Sequence, residues 1–150
     1  MCMRRKIKTL FLLNPRTIFL FGEAYLYLGL ARISNFISFS KVAPKLGIHM
    51  EETVVISDPK NTIILKEVSE AIRIVSRHTF WESRCLVKAI AAMKMLERRK
   101  IESTLYLGTA REENGMLSAH AWLRSGSAYI TGAEEMQRFT VVSKFAKTMD

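Results

Sequence analysis

Two residues of this chain could do nucleophilic chemistry together, Cys85 and His120. Cys85 follows Trp81-Glu82-Ser83-Arg84 and leads into a run whose apolar residues recur at helical spacing. Ser83 reads as the N-cap of that helix, which puts the thiol in the first turn. Free backbone amides and the positive end of the helix dipole favour a thiolate there, and Arg84 adds positive charge. His120 lies in the alternating segment 117–123, sharing a face with Ser118 and Trp122 and flanked on both sides by alanine. An imidazole brought within reach of a helix-start thiol is the base that a cysteine nucleophile needs. Each residue alone has a plainer reading. Cys85 lines up with Ala89, Ala92 and Leu96 as a small core residue, and a strand histidine is commonly a satisfied, half-buried side chain.

Such a pair has to be positioned by a helix start and a strand face. Asn14 followed by Pro15 opens a helix that extends to about residue 39, and its Leu, Ile, Phe and Tyr residues occupy more than one face, as in a buried or docked helix. Residues 41–57, with Pro44, Gly47 and the apolar patch 53–56, read as a connection containing a short extended piece. Asp58-Pro59 is a second helix start; Ile64, Val68, Ile72 and Val75 then take one side, and Lys66, Glu67, Glu70 and Arg73 the other. The third helix carries Leu86, Ala89, Ile90, Met93 and Leu96 inward, with Arg98 and Arg99 at its C-terminal end. After Lys100 the texture changes to strands over 104–109, 117–124, 127–131 and 139–145, separated by Asn114-Gly115, Ser125-Gly126 and Gly132. Helices first and strands second predict an α+β fold, N-terminal helices packed on a small antiparallel sheet. Residues 1–150 read as a single domain, with 1–57 a helical docking region and 58–150 the catalytic core.

Composition narrows the partners. The 23 basic and 14 acidic side chains leave a net charge of +9, which favours an acidic partner such as nucleic acid, anionic lipid or an acidic peptide. The basic residues are dispersed, and no aromatic-rich single-strand motif or zinc-finger spacing accompanies them, which speaks against nucleic acid. The two cysteines, Cys2 and Cys85, do not suggest a structural disulfide, and His49, His78 and His120 lack close metal-ligand spacing. No cofactor or metal is expected, and the compartment implied is a reducing cytoplasm. The basic residues 1–8 and the apolar run 10–13 are cut off by Asn14, Pro15 and Arg16 too soon for a signal peptide. Residues 17–31 would rise only about 22 Å as a helix, short of a hydrocarbon core of about 30 Å, and Glu23 interrupts them. A helix lying at a membrane surface or against a partner protein stays open.

The stretch Trp81-Glu82-Ser83-Arg84-Cys85-Leu86, then a helix, then Leu105-Tyr106-Leu107-Gly108, then Ala119-His120-Ala121-Trp122-Leu123 resembles the leader peptidase of lasso-peptide biosynthesis, a transglutaminase-like cysteine protease. The likeness is strongest over residues 80–145. It implies a papain-like or transglutaminase-like core that removes the leader segment of a ribosomally made precursor peptide. It also implies a small leader-binding partner protein and a separate ATP-dependent cyclase that closes the macrolactam. Cys85 would be the nucleophile and His120 the base, with the Cys85 amide a natural oxyanion donor. Trp81 is first a packing wall and second a contributor to that site. Relatives often carry an aspartate near the histidine, whereas the aspartates here are Asp58 and Asp150. With Ser125-Gly126 as a two-residue turn, His120 falls opposite Thr131 or, slipped by one, Gly132. The Thr131 hydroxyl, a backbone carbonyl, Glu134 or Glu135 is then left to orient the imidazole, the two glutamates reading first as a solvated turn.

Two other functions fit the same residues. The acyl group could pass to an amine, as in transglutaminases, or the chain could be a non-catalytic module with Cys85 and His120 buried and inert. In either case Phe21, Tyr25 and Leu28 are candidates for a docking face on the first helix, or for its core face.

Overall fold

The computed structural model describes residues 14–149. Cys2, the basic start, the apolar run 10–13 and Asp150 lie outside the described residues. The architecture is α+β, with helices covering one face of a five-stranded antiparallel sheet.

Helix α1 (Pro15–Ser34) begins where Asn14 accepts a hydrogen bond from the Arg16 amide at 3.0 Å and Pro15 supplies the first helical residue. It stops short of residue 39. At its end the Ser34 hydroxyl donates to the Leu30 carbonyl, the back-bonding by which serine weakens a helix, and the chain turns into a single helical turn, α2 (Phe39–Val42). The extended piece of the connection is β1 (Ile48–His49), while residues 53–56 belong to no strand. Asp58 caps Lys60 at 2.9 Å, but the turn that it starts, Pro59–Asn61, is 3₁₀; the α-helix proper, α3, spans Thr62–Ser76. Its buried side is Leu65, Val68, Ala71, Ile72 and Val75.

Helix α4 (Cys85–Arg98) is the centre of the fold. Val87, Ala89, Ile90, Ala91, Ala92, Met93, Met95 and Leu96 are all buried, so almost its whole circumference is covered, and small alanines let its neighbours approach closely. Leu86, expected inward, is only half-buried. Leu28 and Ala24 of α1, Val68 and Ile72 of α3 and Leu105, Leu123 and Phe145 of the sheet join α4 in one core. Fully burying a side chain such as Leu28 or Met93 stabilises by roughly 1.5–3 kcal/mol. Glu23, buried on α1, accepts two hydrogen bonds of 2.7 Å from Arg99 and pairs with Arg98 at 3.2 Å, which pins α1 to the end of α4.

The strands are β2 (Ser103–Arg111), β3 (Leu117–Ser125), β4 (Ala128–Thr131) and β5 (Thr140–Lys147), in the order β1-β5-β2-β3-β4. The β3–β4 turn is Gly126-Ser127 rather than Ser125-Gly126; Gly126 takes φ +57, the conformation that glycine supplies at the first central position of a tight hairpin turn. Ser125 pairs with Ala128 and Arg124 with Tyr129, then Ile130 is bulged, so that Thr131 faces Leu123 and not His120. On the sheet face away from the helices, Arg124 is buried and donates to the Thr53, Val54 and Gly126 carbonyls and to the Tyr106 hydroxyl. That network ties the strandless segment 53–56 across the sheet.

Candidate active site

Cys85 is the first residue of α4, but its cap is Arg84, not Ser83. Ser83 turns aside to hydrogen-bond with Thr79 at 3.1 Å, and Arg84 makes no side-chain cap. No side chain therefore competes for the first-turn amides beside the thiol, the arrangement in which a helix start can stabilise an anion. Arg84 is ion-paired at 3.0 Å with Glu82, both well exposed. The Glu82 carboxylate beside it, with the Cys85 side chain as a lesser contributor, holds the Arg84 guanidinium above its ordinary range. Glu82 thus offsets part of the charge that Arg84 brings to the thiol. Lys88, one turn along α4 and on the same side, has no carboxylate partner among the described residues.

His120 sits in β3 opposite Gly108 of β2. Trp122 lies along one side of its ring at 5.7 Å between centroids, and Phe139 packs on it at 5.0 Å. Gly108 makes this possible, since a Cβ there would come within 2.9 Å of both the Trp122 ring and Phe139. Gly108 lies inside β2, which runs from Ser103 to Arg111. Beyond Trp122 the stack continues to Tyr106 at 5.6 Å, whose hydroxyl donates to Glu52 at 2.7 Å.

The partner of the imidazole is a backbone carbonyl. His120 Nε2 lies 2.8 Å from the Gly132 oxygen. A carbonyl can only accept, so Nε2 carries a proton, and in the neutral ring Nδ1 is the nitrogen with the lone pair. Thr131 does not orient His120: its Oγ1 is buried without a hydrogen-bond partner. Glu134 and Glu135 are exposed, and although both line the cleft neither is hydrogen-bonded to the ring. Gly132 has φ +75, and a Cβ there would lie 2.6 Å from the Ala121 carbonyl oxygen and 3.1 Å from His120 Nε2. Only a residue without a side chain can bring its carbonyl to this place.

Cys85 and His120 line the same cleft, of about 430 Å³, with Arg84, Lys88, Thr131 and Gly132 around them. Trp81 is not in that lining. It packs edge-on against Tyr25 and Phe80 at 5.0 and 4.7 Å and rests near Gly29, the wall role expected first. Of the site, Phe139 and Lys88 went unread in the sequence, and Gly108 entered only through the resemblance. A glycine inside a strand signals close approach, which could have found Gly108; Phe139 and Lys88 carry no comparable local signal. Among the described residues no group of three His, Cys, Asp or Glu side chains is placed to hold a metal ion. Nor is any described helix long and apolar enough to cross a membrane.

One family model matches the chain. It is described as the transglutaminase-like superfamily and aligns with residues 19–144. No curated protein and no solved structure matches the chain. The family model covers α1 through most of β5, the whole frame of the cleft, and the chain belongs to the transglutaminase-like superfamily.

Proposed function

We propose that this protein is a cysteine peptidase that removes the leader segment of a lasso precursor peptide, with Cys85 as nucleophile and His120 as base. The observation that carries the reading is that Cys85, at the uncapped start of α4, and His120, with Nε2 held by the Gly132 carbonyl, open into one cleft. Superfamily membership supports thiol chemistry in general, and the resemblance around Cys85 and His120 supports the leader-removing role.

In this reading His120 Nδ1 takes the Cys85 proton and the thiolate Sγ attacks the scissile carbonyl carbon. The developing oxyanion lies at the first-turn amides of α4, including that of Cys85. The C–N bond breaks as the imidazolium returns its proton to the leaving amine. Water, deprotonated by His120, then hydrolyses the thioester and frees Cys85. A leader-binding partner protein presents the substrate and an ATP-dependent cyclase takes the product, in the cytoplasm or at its membrane face.

Incubating candidate precursor with the protein and the leader-binding partner, followed by mass spectrometry, tests this. Cys85→Ala and His120→Ala are each expected to lower leader removal at least about 10³-fold while the fold is kept. Undiminished cleavage by Cys85→Ala would sink the proposal. A product heavier by an added amine would assign the same cysteine to acyl transfer instead.

A further inference from the structure

The cleft does not end at Cys85 and His120. A second cavity, of about 250 Å³, shares Lys88, Thr131, Gly132 and Glu134 with it and continues between α3 and the edge strand β4. Arg73 of α3 and Arg77, the residue that caps its C-terminus, stand on its wall one helical turn apart. Like charges at that spacing repel, while the C-terminal dipole of α3 favours both cations. Lys88 converges on them from α4. None of the three is paired with a described carboxylate, whereas Arg16, Lys94, Arg98, Arg99, Arg138, Lys144 and Lys147 all are. Glu134, exposed at the junction, is the one carboxylate in the lining, leaving the groove with two net positive charges.

One acceptor of the edge strand β4 is also taken where the groove passes it. Ser69 donates to the Ile130 carbonyl at 2.7 Å, so that acceptor is occupied and a peptide here is read by its side chains more than by strand addition. Guanidinium groups with free forks match carboxylates in a bidentate geometry.

We propose that the groove formed by Arg73, Arg77 and Lys88 is a specificity subsite for an acidic side chain of the substrate peptide, close to the bond cut at Cys85. The inference deepens the peptidase reading and rests on it for the identity of the bound chain. It also gives part of the +9 charge a definite place.

The test uses the full-length Cys85→Ala protein, which binds without turning over, and two fluorescein-labelled heptapeptides, one with glutamate at alternate positions and the other with glutamine there. Fluorescence anisotropy is expected to give at least about tenfold tighter binding of the glutamate peptide, a difference shrinking as salt rises. The double variant Arg73→Glu/Arg77→Glu, or Arg73→Gln/Arg77→Gln should the first fold poorly, is expected to bring the glutamate peptide down to the level of the glutamine one. Lys41→Glu/Lys60→Glu matches the charge change of the first variant at exposed positions away from the groove, and is expected to leave binding within about twofold. Equal affinity for the two peptides, or equal loss in the two Glu double variants, would overturn the subsite. A wild-type protein that binds the glutamate peptide selectively yet cleaves no precursor would remove the peptidase reading and leave the groove standing.

Discussion

His120 is held by groups that carry no formal charge: the Gly132 carbonyl, the Trp122 indole and the Phe139 ring. A neutral acceptor hydrogen bond contributes about 1 kcal/mol, enough to choose a tautomer and an orientation, without the charge by which an aspartate would favour imidazolium. The position is demanding because Gly132 must keep φ +75 with no side chain facing Ala121. Gly132→Ala is therefore expected to lose at least about 2 kcal/mol of stability and at least about tenfold in peptidase rate. Urea unfolding and initial-rate measurements would check this; a variant with unchanged stability and rate would show that the carbonyl is not the orienting group. Cys85 and His120 were legible as a pair from their order and settings. A backbone carbonyl was among the alternatives for orienting the ring, but its choice was not legible, since every residue has one and only the bulge at Ile130 decides which arrives there.

Among the elements, α4 depends on α1 for its position, and the joint between them is ionic. Burial pushes the Glu23 carboxyl up, but the hydrogen bonds and charges of Arg99 and then Arg98 outweigh it and hold the group below the ordinary carboxylate range. A carboxyl whose folded value is depressed contributes stability that is fully present above its unfolded value and lost as pH falls through the folded one. Glu23→Gln is expected to cost about 2 kcal/mol at pH 7. Unfolding of the two proteins followed from pH 7 downward should show the difference closing in acid, below the usual carboxylate range. A difference independent of pH would mean that Glu23 acts by packing alone. From the sequence Glu23 reads as an interruption in an apolar helix, and it marks the docking site of that helix.

At the scale of the whole molecule, the first helix divides into two functions. Leu28 is fully buried and Phe21 packs against the core, so these two take the core alternative, whereas Tyr25 packs on Trp81 and stays exposed. The exposed large apolar residues of the helix are Ile18, Phe19, Tyr25, Leu26, Leu30 and Ile33, of which Phe19, Leu26, Leu30 and Ile33 recur at helical spacing. In the proposed complex this stripe meets the leader-binding partner. Leu26→Asp/Ile33→Asp is expected to weaken partner affinity at least about tenfold while moving the thermal midpoint by no more than about 3 °C. Calorimetric titration and a melting curve would read both, and unchanged affinity would remove the stripe from the interface.

What the sequence determined by itself was local: the caps at Asn14 and Asp58, the period of α3, the change from helical to strand texture after Lys100, and a cysteine placed at a helix start. Each follows from neighbours a few residues away, through backbone preference and alternation. What only the tertiary structure decided was distant in the chain. Gly126 and the bulge at Ile130 set a register two different turns could have satisfied, and that register chose Gly132 over Thr131 as the partner of His120. Packing around α4 chose which apolar side of α1 is core, and the meeting of α3 with β4 brought Arg73 and Arg77 to the same groove as Lys88. Register and helix docking depend on contacts between segments far apart in the chain, and a one-residue slip reverses every face.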